Sequence, residues 1–355
     1  MTDPVARPGY GGRVQPAVDW DLAARLAARA VRPGPVATRA EREDVVAALR
    51  AAAPVAAEHV ARITRLGPPA RDLDVRVVDR SSWARANVRS LAALTGRIGV
   101  PERRGLRGAA GAGEVAGVLG LLSGAVLGQY DPWAGRGTLL LVAPNVLVVE
   151  RALGVDAADF RLWVTLHEQT HAQQFAAAPW LAQHLADRVG TLLAEERGGR
   201  SARGDRSARG GRSVLPRSLV DLLDPRQRVV LDEVGAVMAL LEGHADVTMD
   251  AVGRSVVPSV RRIRRRFEAR RGGARGGAHG GAQGGGGAGG MRRVLRAVLG
   301  TDVKLAQYRD GARFVRAVRR AVGTDGLNAV FAGPDVLPTA AEIAEPAAWV
   351  RRVHG

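Results

Sequence analysis

The segment His167-Glu168-Gln169-Thr170-His171 holds two imidazoles four residues apart, with a carboxylate directly after the first. On an α-helix, side chains four apart project from one face, so both rings can reach a single ion. Glu168 lies about 100° further round, beside the ion and not on it. Zinc brings the pKa of a bound water towards neutrality, and a carboxylate so placed can take its proton. The simpler reading is a pair of hydrogen-bonded core histidines. Phe160, Trp163, Val164, His167, His171 and Phe175 do form one inward stripe at three- and four-residue spacing. Two stacked imidazoles with an acid between them are hard to satisfy on a buried face without a cation. The reading taken is a zinc site, with His167 and His171 as ligands and Glu168 as general base.

A catalytic zinc needs a third protein ligand and an open position for water. Leu241-Glu242-Gly243-His244-Ala245-Asp246 offers three candidates. Glu242 and Asp246 are four apart and share a face, whereas His244, two from each, points to roughly the opposite side. The economical assignment makes Glu242 the ligand and has Asp246 hydrogen-bond a ligand histidine from behind. His244 stays open as the alternative, reached only if the helix is distorted at Gly243. Gly243, lacking a side chain, lets the two metal-site helices approach closely. Tyr130, Tyr308 and His244 are the candidate donors to an oxyanion.

These residues need rigid elements to hold them. The first histidine pair sits on a long helix predicted over 156–178, with Asp156 as N-cap and Pro179 as its stop. A second long helix is predicted over 225–250. Upstream, helical periodicity covers 17–30, 38–66 and 82–94, and the apolar run 115–127 reads as a buried helix. Residues 74–79 alternate briefly, as a strand does. The runs 138–142 and 146–149, parted by Pro144 and Asn145, read as a small sheet or hairpin, with 138–142 as an edge strand for an extended peptide. Further helices are expected over 292–299 and 311–322. The fold class is mainly α with a small β-sheet. Residues 1–16 read as a disordered arm, 17–355 as one domain, and 197–213 and 272–290 as flexible insertions, the latter with twelve glycines in nineteen residues.

Composition narrows the classes. Cysteine is absent, so any metal is held by His, Asp and Glu. No apolar run reaches the length of a membrane span, and the start lacks the basic and apolar regions of a signal peptide, so a cytoplasmic protein is expected. The net charge is +17, yet residues 196–217 alone carry +5 and residues 254–296 carry +11. The rest is nearly neutral, and Lys304 is the sole lysine. Phe267 is the one aromatic within the arginine run 261–271, which leaves little for base stacking and argues against nucleic acid.

The ordered set His167, Glu168, His171, then Glu242 and Asp246, resembles the gluzincin pattern of thermolysin-like peptidases. That resemblance implies Glu242 as third ligand and Asp246 as the group orienting the first histidine. More closely, the chain is similar to a zincin-like metallopeptidase family common in actinobacteria. Some members are labelled hydrolases and others are linked to biosynthesis of a deazaflavin coenzyme. The matching stretches are Gly128-Gln129-Tyr130-Asp131-Pro132-Trp133, the histidine segment through Phe175, the Glu242-Gly243 helix, residues 304–318, and the tail from Pro338 through Trp349 to Gly355. They span most of the chain beyond about residue 80; the glycine-rich segment is longer than the family usually carries. The resemblance implies a zincin-like fold and a Zn2+ cofactor, with a peptide or protein as substrate. The function expected is a zinc-dependent hydrolase, a metallopeptidase; the rival is a non-catalytic, zinc-stabilised protein serving in a complex.

Overall fold

The structure, a computed structural model, describes residues 18–97, 105–203, 225–273 and 301–355, with side chains over 18–97, 105–192, 225–270 and 310–355. Its organising strand is β3. The first strand, β1 (Asp74–Val78), runs parallel to β3 (Thr138–Val142), and β2 (Gly128–Asp131) runs antiparallel on its other side. The unbroken apolar run Leu139-Leu140-Leu141-Val142 is buried at every position, as suits a strand covered on both faces. Leu140 and Val142 pack into one cluster with α1 (Trp20–Ala30), α3 (Arg80–Arg97) and α4 (Leu106–Leu122), through residues such as Trp83, Val115 and Leu119. Leu141 points the other way, into a cluster built by α2 (Arg39–Thr64), α5 (Ala143–Leu153) and α6 (Ala157–Ala177), with Leu49, Val146 and Phe160.

Two expectations fail here. Residues 138–142 form the central strand, so the edge beside α6 belongs to β2 instead. Residues 146–149 are not a strand but lie within α5, which opens with Pro144 in its first turn and closes on Gly154 at φ 55°. Asn145, fully inside, donates to the carbonyls of Ser123 and Val126 at 2.7 and 2.6 Å and accepts from buried Arg80 at 2.7 Å. Those tertiary bonds hold the chain where a hairpin partner strand would have run. The helix expected over 115–127 begins at Leu106 and ends at Leu122, which leaves Leu127 to lead into β2.

Helix α6 is the central rod. Asp156 caps it by accepting from the Asp159 amide at 2.9 Å, and it ends before Pro179. Its buried residues lie all round the cylinder, because α2, β2 and α8 (Pro225–Ala251) each cover a side. Three glutamines in its C-terminal half tie it to its surroundings through backbone carbonyls. Gln169 donates to Ala53 at 3.1 Å, Gln173 to Pro68 at 3.0 Å and Gln174 to Leu241 at 3.0 Å. Near the N-terminal end, buried Arg161 forks onto Glu150 at 3.0 and 2.8 Å and reaches Asp44 at 2.6 Å.

Helix α7 (Trp180–Arg203) extends into the stretch expected as an insertion over 197–213; residues 204–213 lie outside the described residues. Helix α9 (Val260–Gly273) follows α8, and α10 (Thr301–Asn328) follows in turn, with a break at Gly323. Residues 274–290, the helix expected over 292–299 and the arm 1–16 are also outside the described residues. Gly243 meets α10 and not α6: a Cβ there would stand 2.1 Å from the Gly311 carbonyl carbon. A Cβ on Gly311 would stand 1.8 Å from the Ala239 oxygen. Glycine on both helices is what lets their backbones touch. Phe314, Val315 and Val318 then pack with Leu240, and with Trp349 from α12 (Pro346–His354), which follows the short α11 (Ala340–Ala344). Among the described residues no helix is long and apolar enough to cross a membrane.

Candidate metal centre

The two halves of the site meet where α6 crosses α8. His167 and His171, one turn apart on α6, stand edge to face with ring centroids 4.8 Å apart. Their Nε2 atoms are 3.2 Å from each other. From α8, Glu242 Oε2 lies 3.3 Å from Nε2 of His167 and 3.7 Å from Nε2 of His171. The structure therefore brings these three candidates together, and among the described residues they are the group whose donor atoms converge within 4.8 Å.

The donor set fits zinc. Tetrahedral zinc with bonds of about 2.0–2.2 Å places its ligand atoms roughly 3.3–3.6 Å apart, close to the three separations found. Glu242 Oε2 is buried and has no hydrogen-bond partner, with the two ring nitrogens 3.3 and 3.7 Å away. A buried carboxylate oxygen without a hydrogen bond is costly, and a cation between the three atoms removes the cost. The side chains of His167, His171 and Glu242 remain 18%, 13% and 12% exposed, so the site is not fully sealed from solvent.

Electrostatics follow from the crowding. Burial lowers the pKa of His171, but the adjoining Glu242 carboxylate and the charge of Glu168 outweigh it and push the ring up to about 9. Burial works to raise Glu242, and contact with the two rings holds it well below the usual carboxylate range. Without a metal the pair is an imidazolium and a carboxylate, and a divalent cation must displace that proton.

Glu168 is buried against the edge strand, close enough to His171 for its charge to act on that ring. A Cβ at Gly128 would stand 2.5 Å from Glu168 Cγ, so the bare backbone of β2 makes room for this side chain. Two β2 side chains away from that face anchor the strand. Gln129 accepts from the Trp83 indole at 2.9 Å, and Asp131 binds Ser90 and the Trp133 amide. Tyr130 shares the face of Gly128 and packs on Phe175 with centroids 5.4 Å apart. Burial, then the Asp131 charge, raise its pKa.

The remaining candidates fall elsewhere. Asp246 does not support a ligand histidine: Arg264 takes its Oδ1, and Arg316 lies 3.7 Å from its Oδ2. Arg264 also binds Asp250 at 2.8 Å and sits over the Trp163 ring. His244 is buried with Phe331 against its ring and Gln174 of α6 3.0 Å from its Nδ1, and it is not among the converging donors. Burial, then the charges of His171 and Arg319, bring its pKa down to about 4. The side chain of Tyr308 is outside the described residues. Sequence reasoning missed Gln174, which is fully buried and places Oε1 at 2.9 Å from His171 Nδ1. Its position three residues after His171, on the same face, was the available signal.

A family model for zincin-like metallopeptidases matches residues 18–350. The chain belongs to that family. Membership implies zinc, and the histidine–glutamate cluster is the group able to hold it. A crystal structure of "a putative hydrolase with a novel fold" from Chloroflexus aurantiacus is similar at 31% identity and a TM-score of 0.62, covering 94% of this chain and 98% of that one. Comparison with curated proteins finds no match.

Proposed function

We propose that the protein is a zinc-dependent peptidase in which His167, His171 and Glu242 hold the metal and Glu168 is the general base. The observation that carries this reading is the convergence of three donor atoms at tetrahedral spacing, with a separate buried carboxylate beside them. Zinc held there would supply Lewis acidity, acidifying water and polarising a substrate carbonyl. Glu168, one residue on from a ligand but on another side of α6, accepts the proton of the attacking water and can pass it to the leaving amine. The edge of β2, next to Gly128, is positioned to pair with an extended peptide backbone. A purely structural zinc would be closed by four protein ligands, and a buried base beside it would have no use.

The test uses zinc content and turnover together. Purified protein should hold about one zinc per chain, and His167→Ala or His171→Ala should lose it. Glu168→Gln should keep the zinc and lose cleavage of a denatured protein mixture followed by mass spectrometry, since an amide cannot accept the proton. Wild-type protein that holds zinc but cleaves nothing, with Glu168→Gln indistinguishable from it, favours the accessory-protein reading.

A further inference from the structure

Gln174 sits at the meeting of three groups: the His171 ring, the Leu241 carbonyl and the His244 ring. Its Nε2 is 3.0 Å from Leu241 O. A backbone carbonyl only accepts, so the amide nitrogen must face it, and this settles which way the carboxamide points. The oxygen Oε1 then faces His171 Nδ1 at 2.9 Å. A carboxamide oxygen also only accepts, so Nδ1 of His171 must carry the hydrogen. The second amide hydrogen is directed to His244 Nδ1 at 3.0 Å, which makes that nitrogen an acceptor. Gln174 is 0% exposed, so no water competes for any of these bonds.

We infer that Gln174 is the positioning residue of the centre, its carboxamide fixing His171 in the tautomer whose Nε2 lone pair faces His167 and Glu242. The inference rests on the metal-site reading and adds how α6 and α8 are kept in register at it. The Leu241 carbonyl is adjacent in the chain to ligand Glu242, so one side chain sets both the ring and the spacing of the two ligand-bearing helices. A carboxylate in place of the amide would set oxygen against the Leu241 oxygen and add a third negative charge beside Glu168 and Glu242. A neutral amide avoids both. Asp246 is committed to Arg264, and Gln174 is bonded to the second ring, that of His171.

The test begins with the wild type. In zinc-loaded protein with 15N-labelled histidine, His171 should bind the metal through Nε2 and show a slowly exchanging Nδ1–H. Gln174→Met keeps the bulk but has no donor or strong acceptor. Its zinc affinity, measured by chelator competition, should fall about 10–100-fold, and the Nδ1–H should exchange rapidly. His244→Ala leaves the Gln174–Leu241 bond in place and should lower affinity far less. Coordination of His171 through Nδ1, or wild-type affinity with an unchanged Nδ1–H in Gln174→Met, overturns the inference while leaving the metal site intact. Wild-type protein that takes up no zinc overturns the metal-site reading itself, and the inference with it. If Gln174→Met does not fold, the wild-type coordination measurement still decides.

Discussion

At the scale of single residues, the site depends as much on a missing side chain as on those present. Glu168 is buried where it is because β2 presents Gly128 to it, and a methyl there would sit 2.5 Å from Glu168 Cγ. Gly128→Ala must therefore displace either the base or the strand. Because Gly128 touches no metal ligand among the contacts described, zinc content should stay near that of the wild type. Turnover should fall by at least tenfold, a change of about 1.4 kcal/mol in the barrier. Zinc analysis beside a turnover assay checks this, and wild-type activity in Gly128→Ala would remove Glu168 from the mechanism as placed.

At the scale of elements, the decisive contact lies behind the site and not in it. Helix α8 carries Glu242, and its back is set against α10 through Gly243 and Gly311. A Cβ at Gly311 meets a backbone oxygen, which cannot turn aside as a flexible side chain can. Gly311→Ala should cost about 1–3 kcal/mol or more in denaturant unfolding, the usual range for overpacking. It should also weaken zinc binding, because α8 must shift to relieve the clash and Glu242 shifts with it. Unchanged stability together with unchanged zinc affinity would show that the helices tolerate separation at this crossing. The buried Arg161 fork plays a comparable part at the other end of α6, joining it to α5 and α2.

At the scale of the whole molecule, an ion held as proposed would add a link between α6 and α8, which already meet in one core through Phe160, Leu166 and Met249. Helix α6 contributes Phe160 and Leu166 to the core shared with α2 and β3, and α8 contributes Leu240 to the core shared with α10 and Trp349. An ion held by both helices adds its binding free energy to the folded state. That is about 2.7 kcal/mol when free zinc is one hundred times Kd. The Tm from scanning calorimetry should rise with the logarithm of free zinc and return on chelation. His167→Ala should lack this response. A zinc-independent Tm in the wild type would mean that the ion adds nothing to the packing that already joins the two helices.

The sequence by itself determined the local parts of this protein. Helical periodicity is a property of neighbouring residues, so the shared face of His167 and His171 and the offset of Glu168 are legible from spacing alone. The cap at Asp156 and the stop at Pro179 are equally local. Tertiary structure decided whatever depends on a partner distant in the chain. An apolar pair of short runs suits strand or helix alike, and it was Arg80 and the Ser123 and Val126 carbonyls, gripping Asn145, that put 143–153 into a helix. Spacing offered Asp246 to a histidine, but the fold sets Arg264 of α9 against it. Gly243 advertised a close approach without saying to what, and Gln174 looked like any helix amide until Leu241 fixed its direction. Each of these outcomes is a choice among partners that only the packed chain brings within reach.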